Sequence, residues 1–461
     1  MKRQTAGLLL SAVLLAASTD QPQNFDAISA DSLRANLSYL ASDELEGRGT
    51  PSHGLDLAAQ YIAAQFKRAG LEPAAPDYFQ NAKFTEATVD MNGFRLTLDA
   101  GGKHVSVAAD QVQVRSLEPL DLTGAPVMKL PANGAIPAVT GRIVAGDERR
   151  YGDEIFLNEL KARKPALILL IGRGRFNRRE TATFLEDADG VPPVIRIRRS
   201  EAAAWVAKPV DLALSVHLAK PLLHEATLRN VAGILRGSDP GLRDSFFLVT
   251  AHYDHLGRNA RGIFHGANDN ASGTASVIEI ARALASANPH PARSIVFIAF
   301  FGEEEGLLGS YYYARHPLFP LKSTVADINL EQLGRTDDPG GRRIAEFAIT
   351  GESYSDVAGA MAAAAKTQGV NVYSRRDGDA YFNRSDNYSF AQYGVVSHTI
   401  AVAFEYPDYH AFKDQSEKID YPNMATVDRG IAAGVLALAN RSEPPEWSST
   451  NAATVYREAG K

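Results

Sequence analysis

The chain has 461 residues, of which 45% are hydrophobic and 22% charged, the balance of a soluble globular protein long enough for two or three domains. Its formal net charge of -6 leaves no basic excess to neutralise phosphates, which argues against nucleic acid as a partner. There is no Cys, so disulfides, thiolate metal sites and lipid attachment through Cys are excluded, and any metal must be held by His and carboxylates.

The chain opens with Lys2 and Arg3, a short apolar run from Leu8 to Leu15, and the small residues Ala16, Ala17 and Ser18. This pattern predicts a signal peptide over residues 1–18, and export to a periplasmic or extracellular location. The run is short for a bilayer span, so no stable membrane insertion is expected after cleavage. Residues 26–72 read as helices joined by a loop. Asp31 to Leu40 has helical spacing, Leu45-Glu-Gly-Arg-Gly-Thr-Pro is the loop, and Gly54 to Gly70 is amphipathic, with Leu57, Tyr61, Ile62 and Phe66 on one side.

From about 90 to 222 the texture changes to short alternating runs such as Phe94-Arg-Leu-Thr-Leu, with Gly and Pro turns and one helical stretch before Ala166-Leu-Ile-Leu-Leu-Ile. This span predicts a separate, mostly β module at 91–222, inserted into a discontinuous domain of residues 26–90 and 223–440. Arg173 to Arg179 is a basic cluster that reads as a solvated loop. From about 226 onward, apolar strands alternate with helices: Ser245-Phe-Phe-Leu-Val-Thr, a helix over Ser272 to Ser286, Ser294-Ile-Val-Phe-Ile-Ala-Phe-Phe, a strand at Ala345 to Thr350, and an Ala-rich helix at 355–367. Such alternation predicts an α/β fold with a mixed, mostly parallel sheet flanked by helices.

Ligands in such sheets gather at the carboxyl ends of the strands. His252-Tyr-Asp254, Glu303-Glu304, Glu331 and His410 all follow predicted strands, and Asp269 precedes a helix. Each piece alone is weak, since a lone His-x-Asp is commonly structural and a Glu-Glu pair is commonly a solvated surface. Gathered in one pocket, Asp269, Glu303, Glu304 and Glu331 would repel one another, and bound cations would resolve the repulsion. Two His and three carboxylates, one bridging, suit a pair of Zn²⁺ ions, which together can hold a carbonyl oxygen and activate a water. A carboxylate left off the metals could take that water's proton.

The motifs Thr250-Ala-His-Tyr-Asp-His-Leu-Gly, Gly266-Ala-Asn-Asp-Asn-Ala-Ser-Gly, Gly302-Glu-Glu-Glu-Gly-Leu-Leu-Gly-Ser and Asp408-Tyr-His resemble those of the dizinc aminopeptidase family, peptidase family M28. The early Leu45-Glu-Gly-Arg-Gly-Thr resembles that family's N-terminal segment. The resemblance covers about 30–75 and 225–430, and the module between them resembles a protease-associated domain. It implies a zinc exopeptidase fold and an aminopeptidase that removes N-terminal residues from peptides. It also implies roles: His252 and Glu331 on one zinc, Glu304 and His410 on the other, Asp269 bridging, Glu303 as general base and later general acid, and Asp254 orienting His252.

Two departures stand out. Glu331 occupies the place of the family's usual Asp, and Ala-Phe-Lys-Asp follows His410 in place of a small-Pro-x-Asp pattern. Arg384-Ser-Asp-Asn-Tyr388 resembles a segment near the family's substrate pocket and reads equally as a structural loop. His255, His265 and His398 match no ligand position and are expected in hydrogen-bonding or surface roles. Rival readings are a carboxypeptidase or glutaminyl cyclase on the same fold, a metal-free receptor-like relative, and a serine hydrolase using Ser353 in Gly351-Glu-Ser353-Tyr-Ser355 as an elbow.

Overall fold

The computed structural model describes residues 25–152, 154–173, 182–186, 191–206 and 208–460. The leader expected at 1–18, and all of the basic run after Arg173, lie outside the described residues. The larger sheet is centred on three strands, Phe246–His252, Ser294–Phe300 and Thr324–Glu331, every one parallel to its neighbour. Their near-continuous apolar sequences follow from burial on both faces. Phe247, Val249, Ala251, Ile295, Phe297 and Ala299 face one way, into a core shared with the helices Ala30–Leu40, His53–Arg68, Gly273–Ala285, Val357–Lys366 and Tyr421–Ala439. Phe246, Leu248, Val296, Ile298 and Phe300 face the other way, toward Tyr313 and Phe390. This is the period-two alternation of a strand, here with both faces dry.

Val396–Ala401 extends the parallel centre beside Thr324–Glu331. Pairing turns antiparallel at the margins, where Leu222–Leu235 lies against Ser294–Phe300, Phe79–Thr88 against Leu222–Leu235, and Glu346–Ile349 against Val396–Ala401. The first helix is closed by Ser29 and Ser32, which cap each other reciprocally, and the second by Ser52, whose hydroxyl accepts from the Leu55 amide at 3.0 Å.

Residues 95–218 supply a second, eight-stranded sheet, whose order runs from Lys103–Ser106 at one edge to Val112–Arg115 at the other. Ile143–Asp147, Leu167–Gly172 and Val194–Arg198 form a parallel core within it, with the helices Glu154–Ala162 and Ser200–Val206 packed against it. One strand from this stretch, Ala182–Leu185, leaves it and pairs with Phe79–Thr88 at the margin of the larger sheet. The chain segment read as an insertion therefore touches the large sheet beside the site described next.

Candidate metal centre and active site

Strand register brings the first residues together. Thr250 pairs with Asn329, so two residues further on His252 and Glu331 come level at the carboxyl ends of adjacent strands. His252 Nε2 lies 3.4 Å from Glu331 Oε1 and 3.4 Å from Asp269 Oδ1. His410, on the loop after Val396–Ala401, places Nε2 3.1 Å from Asp269 Oδ2 and 3.2 Å from Glu304 Oε1. Among the described residues two groups could each hold a metal ion: His252 with Asp269 and Glu331, and His255 with Asp269, Glu304 and His410. Within each group the ligand atoms lie within 4.8 Å of one another. Asp269 belongs to both groups, with Oδ1 facing His252 and Oδ2 facing His410, which is the disposition of a bridging carboxylate. Glu303 belongs to neither; its Oε2 stands 4.0 Å from His252 Nε2.

Asp254 ties the two motifs together. Its carboxylate accepts from the backbone amides of Glu303 (3.0 Å) and Glu304 (3.4 Å), and its Oδ1 lies 3.5 Å from His252 Nδ1. His252 Nδ1 meets the Asp254 backbone carbonyl at 3.2 Å, so this one buried residue holds the His252 ring through its carbonyl and the backbone of the Glu-Glu pair through its carboxylate. The Gly266–Gly273 loop is held just as closely. Asp414 accepts from the amides of Asn268 (3.0 Å) and Asp269 (3.1 Å), and Asn270 reaches from its side chain to the Leu330 carbonyl (2.8 Å) and the Gln332 amide (3.1 Å). Gly266 has φ 57°, and a Cβ there would stand 2.5 Å from the His255 ring, so both the turn and the close packing require glycine.

The electrostatics are those of a pocket built for cations. Burial opposes charge on His252, yet Glu331, Glu303, Asp254 and Asp269 together hold its pKa well above the ordinary value. Burial likewise opposes His410, and Asp269 and Glu304 carry its pKa up to about 10. Against its own desolvation, Asp269 is held below the usual carboxylate range by His252 and His410. Glu303 goes the other way, its pKa pushed well up by burial and by Glu331 and Glu304, against the pull of His252. Protons on the imidazoles here do what metal charge would do.

Four residues join the site that sequence motifs did not place there. His255, expected in a hydrogen-bonding or surface role, is 1% exposed, and neither of its ring nitrogens makes a hydrogen bond. Its Nδ1 instead lies 2.8 Å from Glu304 Oε1. An orphaned buried imidazole aimed at carboxylates fits a metal, and the donor set of His nitrogens and carboxylate oxygens suits zinc. Ser385, inside the ambiguous Arg384–Tyr388 segment, donates to Glu331 and is itself held by Asn329 at 2.8 Å. Asp414 is the acid of Ala-Phe-Lys-Asp, and its contacts show that this Asp keeps a structural task despite the altered residues before it. Arg48 of the early loop is fully buried and donates to the carbonyls of Leu40, Tyr253 (2.7 Å), His265 (2.9 Å) and Gly266 (2.9 Å), so it clamps both metal-site loops. Its place in Leu45-Glu-Gly-Arg-Gly-Thr was the sequence signal, but that motif did not tie it to the metal-site loops.

His265 does meet the expectation, facing Asp43 at 2.7 Å. His398 faces Ser355 at 2.6 Å and the Thr350 carbonyl at 2.8 Å; burial lowers its pKa to about 4. Ser353, the residue of the serine reading, is not its partner.

Two spaces open on the metal groups. A small recess of about 60 Å³ lies beside His252, Asp269, Glu303 and Glu331 and is walled by Thr350, Ala401, Phe404 and Tyr409. A cleft of about 790 Å³ runs from Glu303 and Glu304 outward to the second sheet.

Residues 230–435 match the profile of peptidase family M28. The chain is 35% identical over 144 residues to Aminopeptidase YwaD of Bacillus subtilis (strain 168), covering 31% of this chain and 29% of that one. It is 30% identical over 199 residues to the "Probable leucine aminopeptidase" of Trichophyton verrucosum (strain HKI 0517), covering 41% and 53%. It is 32% identical over 169 residues to the "Probable zinc metalloprotease" of Pyrenophora teres f. teres (strain 0-1), covering 33% and 35%. The matched part thus spans about a third to a half of these relatives. The structure of an aminopeptidase from Aneurinibacillus sp. strain AM-1 superposes with a TM-score of 0.58 at 19% identity, covering 92% of this chain and 96% of that one, a likeness of fold. The match to the peptidase family M28 profile encloses every residue of the two groups that could hold a metal ion, and it is over residues 230–435 that the chain is similar to that family.

Proposed function

We propose that the chain is an exported two-zinc exopeptidase that removes N-terminal residues from peptides. The observation that carries this reading is the pair of metal-competent groups sharing Asp269, with Glu303 beside them and in neither. His252 and Glu331 would hold one ion, His255, Glu304 and His410 the other, and Asp269 both. When bound, the ions supply a Lewis acid for the scissile carbonyl and lower the pKa of water. Glu303 accepts the proton of the attacking water and returns it to the leaving amine. Asp254 keeps His252 and the Glu303 backbone in place through that exchange. The small recess takes the N-terminal side chain, and the acid-rich pocket favours a free α-ammonium group. The names of the relatives support aminopeptidase over carboxypeptidase or glutaminyl cyclase. Elemental analysis of the purified protein, joined to a panel of aminoacyl-amide substrates, tests the reading: two zinc ions per chain and cleavage of unblocked substrates are expected. Trace metal with chelator-insensitive activity, or activity confined to N-blocked peptides, would overturn it.

A further inference from the structure

The recess beside His252 and Glu331 is small, and its lining is braced. Thr350 and Thr399 line it and are fixed by hydrogen bonds. The Thr399 amide donates to Thr350 Oγ1 at 3.1 Å. The Thr399 hydroxyl donates to Asn387 Oδ1 at 2.8 Å and accepts from Asn329 Nδ2 at 3.0 Å. Ala401 pairs with Glu331 across adjacent strands and lines the same space. Phe404 and Tyr381 line it too, with ring centroids 4.9 Å apart. Phe404 packs with Ala348 and Ala401 in a small buried cluster, and the Arg375 guanidinium lies 4.8 Å from its ring centroid. Arg375 is in turn paired with Asp338 at 2.6 Å, and Asp338 also accepts from the Phe404 amide at 3.3 Å. The Tyr381 hydroxyl donates to Glu405 at 2.5 Å. A ring held by a second ring, by a guanidinium and through its own backbone has little room to give way.

We infer that the recess admits only small N-terminal side chains, those of Ala, Ser, Thr and Val, and that Phe404 is the residue that excludes Leu and Phe. This rests on the exopeptidase reading, in which the N-terminal side chain enters this recess. A cavity of about 150 Å³ holds one six-carbon benzene ring, so on that scale a recess of about 60 Å³ holds roughly two or three carbons. The side chain of Val has three carbons, that of Leu four and that of Phe seven. The extra carbons have two options. They can push Phe404 off Tyr381 and Arg375, which costs the energy of overpacking a braced site. Or they can stay outside, which draws the scissile carbonyl away from Glu303, and a misplacement of about 1 Å costs roughly 10²-fold in rate. Either way the substrate class is set by size at the N-terminal residue.

The test compares the p-nitroanilides of Ala, Val, Leu and Phe on the mature, zinc-loaded protein. For Ala and Val, kcat/KM should exceed that for Leu by at least about tenfold, the lower end of what one methylene decides in a close-fitting pocket, with Phe the poorest substrate. Phe404→Ala should raise kcat/KM for Leu and Phe in absolute terms by a similar factor, and Phe404→Leu should do so to a smaller extent. A gain of activity does not arise from partial loss of folded protein, and Phe404→Leu keeps the test open where Phe404→Ala fails to fold. Ala401→Val narrows the same space and should depress Val more than Ala. Calorimetry of L-valinamide and L-leucinamide on the Glu303→Gln protein reads the recess without turnover, and L-valinamide is expected to bind the more tightly. Leu hydrolysed as well as Val by the parent, or a Val-to-Leu ratio that stays fixed in both Phe404 variants, overturns the inference. No hydrolysis of any anilide, with the order of Kd intact and lost when Phe404→Ala is added, overturns the exopeptidase reading and leaves the size limit standing.

Discussion

Glu303→Gln separates proton transfer from metal binding. Glu303 stands outside both metal groups, with its Oε2 4.0 Å from His252 Nε2, while its backbone amide is fixed by Asp254 at 3.0 Å. The amide side chain keeps the volume and the hydrogen-bonding reach of the acid but cannot accept a proton. A positioned acid–base group contributes roughly 10²–10⁴-fold, or about 3–5 kcal/mol of barrier, so kcat should fall by at least that range with KM little changed. The protein should not be weakened. Burial and the neighbouring Glu331 and Glu304 already disfavour charge at Glu303, so a neutral residue relieves repulsion. Glu304→Gln should behave in the opposite manner: it removes an oxygen 3.2 Å from His410 Nε2 and 2.8 Å from His255 Nδ1, so metal content should drop before any intrinsic effect on rate is read. Steady-state kinetics on an aminoacyl amide and metal content by elemental analysis, measured on both variants, decide the point. Full activity in Glu303→Gln would refute the mechanism, and loss of metal there with retention in Glu304→Gln would mean that the two roles are exchanged.

His255→Asn should lower affinity for one ion by roughly 10–100-fold, seen as a first ion lost earlier in a chelator titration; unchanged titration would remove His255 from the ligand set. Asp327 is buried between Thr250 (2.8 Å) and Ser397 (2.6 Å), and burial pushes its pKa up to about 7 from 3.8. Between those pH values the folded state holds a proton that the unfolded chain has lost, so stability falls as pH rises, by up to about 4 kcal/mol from this group. Asp327→Asn should therefore gain stability relative to the parent as denaturation is measured from pH 4 to pH 7, and a constant difference would contradict the assignment. Arg48→Lys should cost at least about 2 kcal/mol in denaturant unfolding and weaken metal retention, because a point charge cannot satisfy four buried carbonyls; a neutral outcome would count against the clamp. N-terminal sequencing of the mature protein should begin near residue 19, and a start at Met1 would refute export through this leader.

The large sheet was legible because its strands are dry on both faces, and runs such as Ser294–Phe300 carry no polar interruption that would suggest another state. The candidate ligands were legible because they sit at or just past the ends of those strands, where the motifs fall. The second sheet was harder to read. Its parallel core around Leu167–Gly172 is recorded in the sequence as one apolar run among short β signals, and the departure of Ala182–Leu185 to the larger sheet is a long-range pairing that no local pattern encodes. His255 was missed for a related reason. Its neighbours His252 and Asp254 already account for the motif, and only the fold reveals that the ring turns inward to Glu304 instead of outward to water.

Arg48, Asp254 and Asp414 make the same point about how such a site is held. All three are fully buried, none is in a metal-competent group, and each hydrogen-bonds backbone, Asp414 accepting from the Tyr406 hydroxyl and Asp254 from the Thr50 hydroxyl as well. Arg48 takes carbonyls from the two loops that carry His255 and Asp269; Asp414 takes the Asn268 and Asp269 amides; Asp254 takes the Glu303 and Glu304 amides. Burying a charge is costly, and a pair of apolar residues would stabilise the fold more cheaply. What apolar packing cannot do is aim a peptide unit, because dispersion has no direction. Apart from His252 and Glu331, which end paired strands, the side chains of the two groups hang on segments outside the sheet, where no ladder of sheet hydrogen bonds fixes the backbone, so directional buried charges take over that task. The opposed signs suit it: the cation collects carbonyls, the anions collect amides, and Arg48 lowers the net negative charge beneath Asp269 and Glu304, whose fields in turn offset its own desolvation.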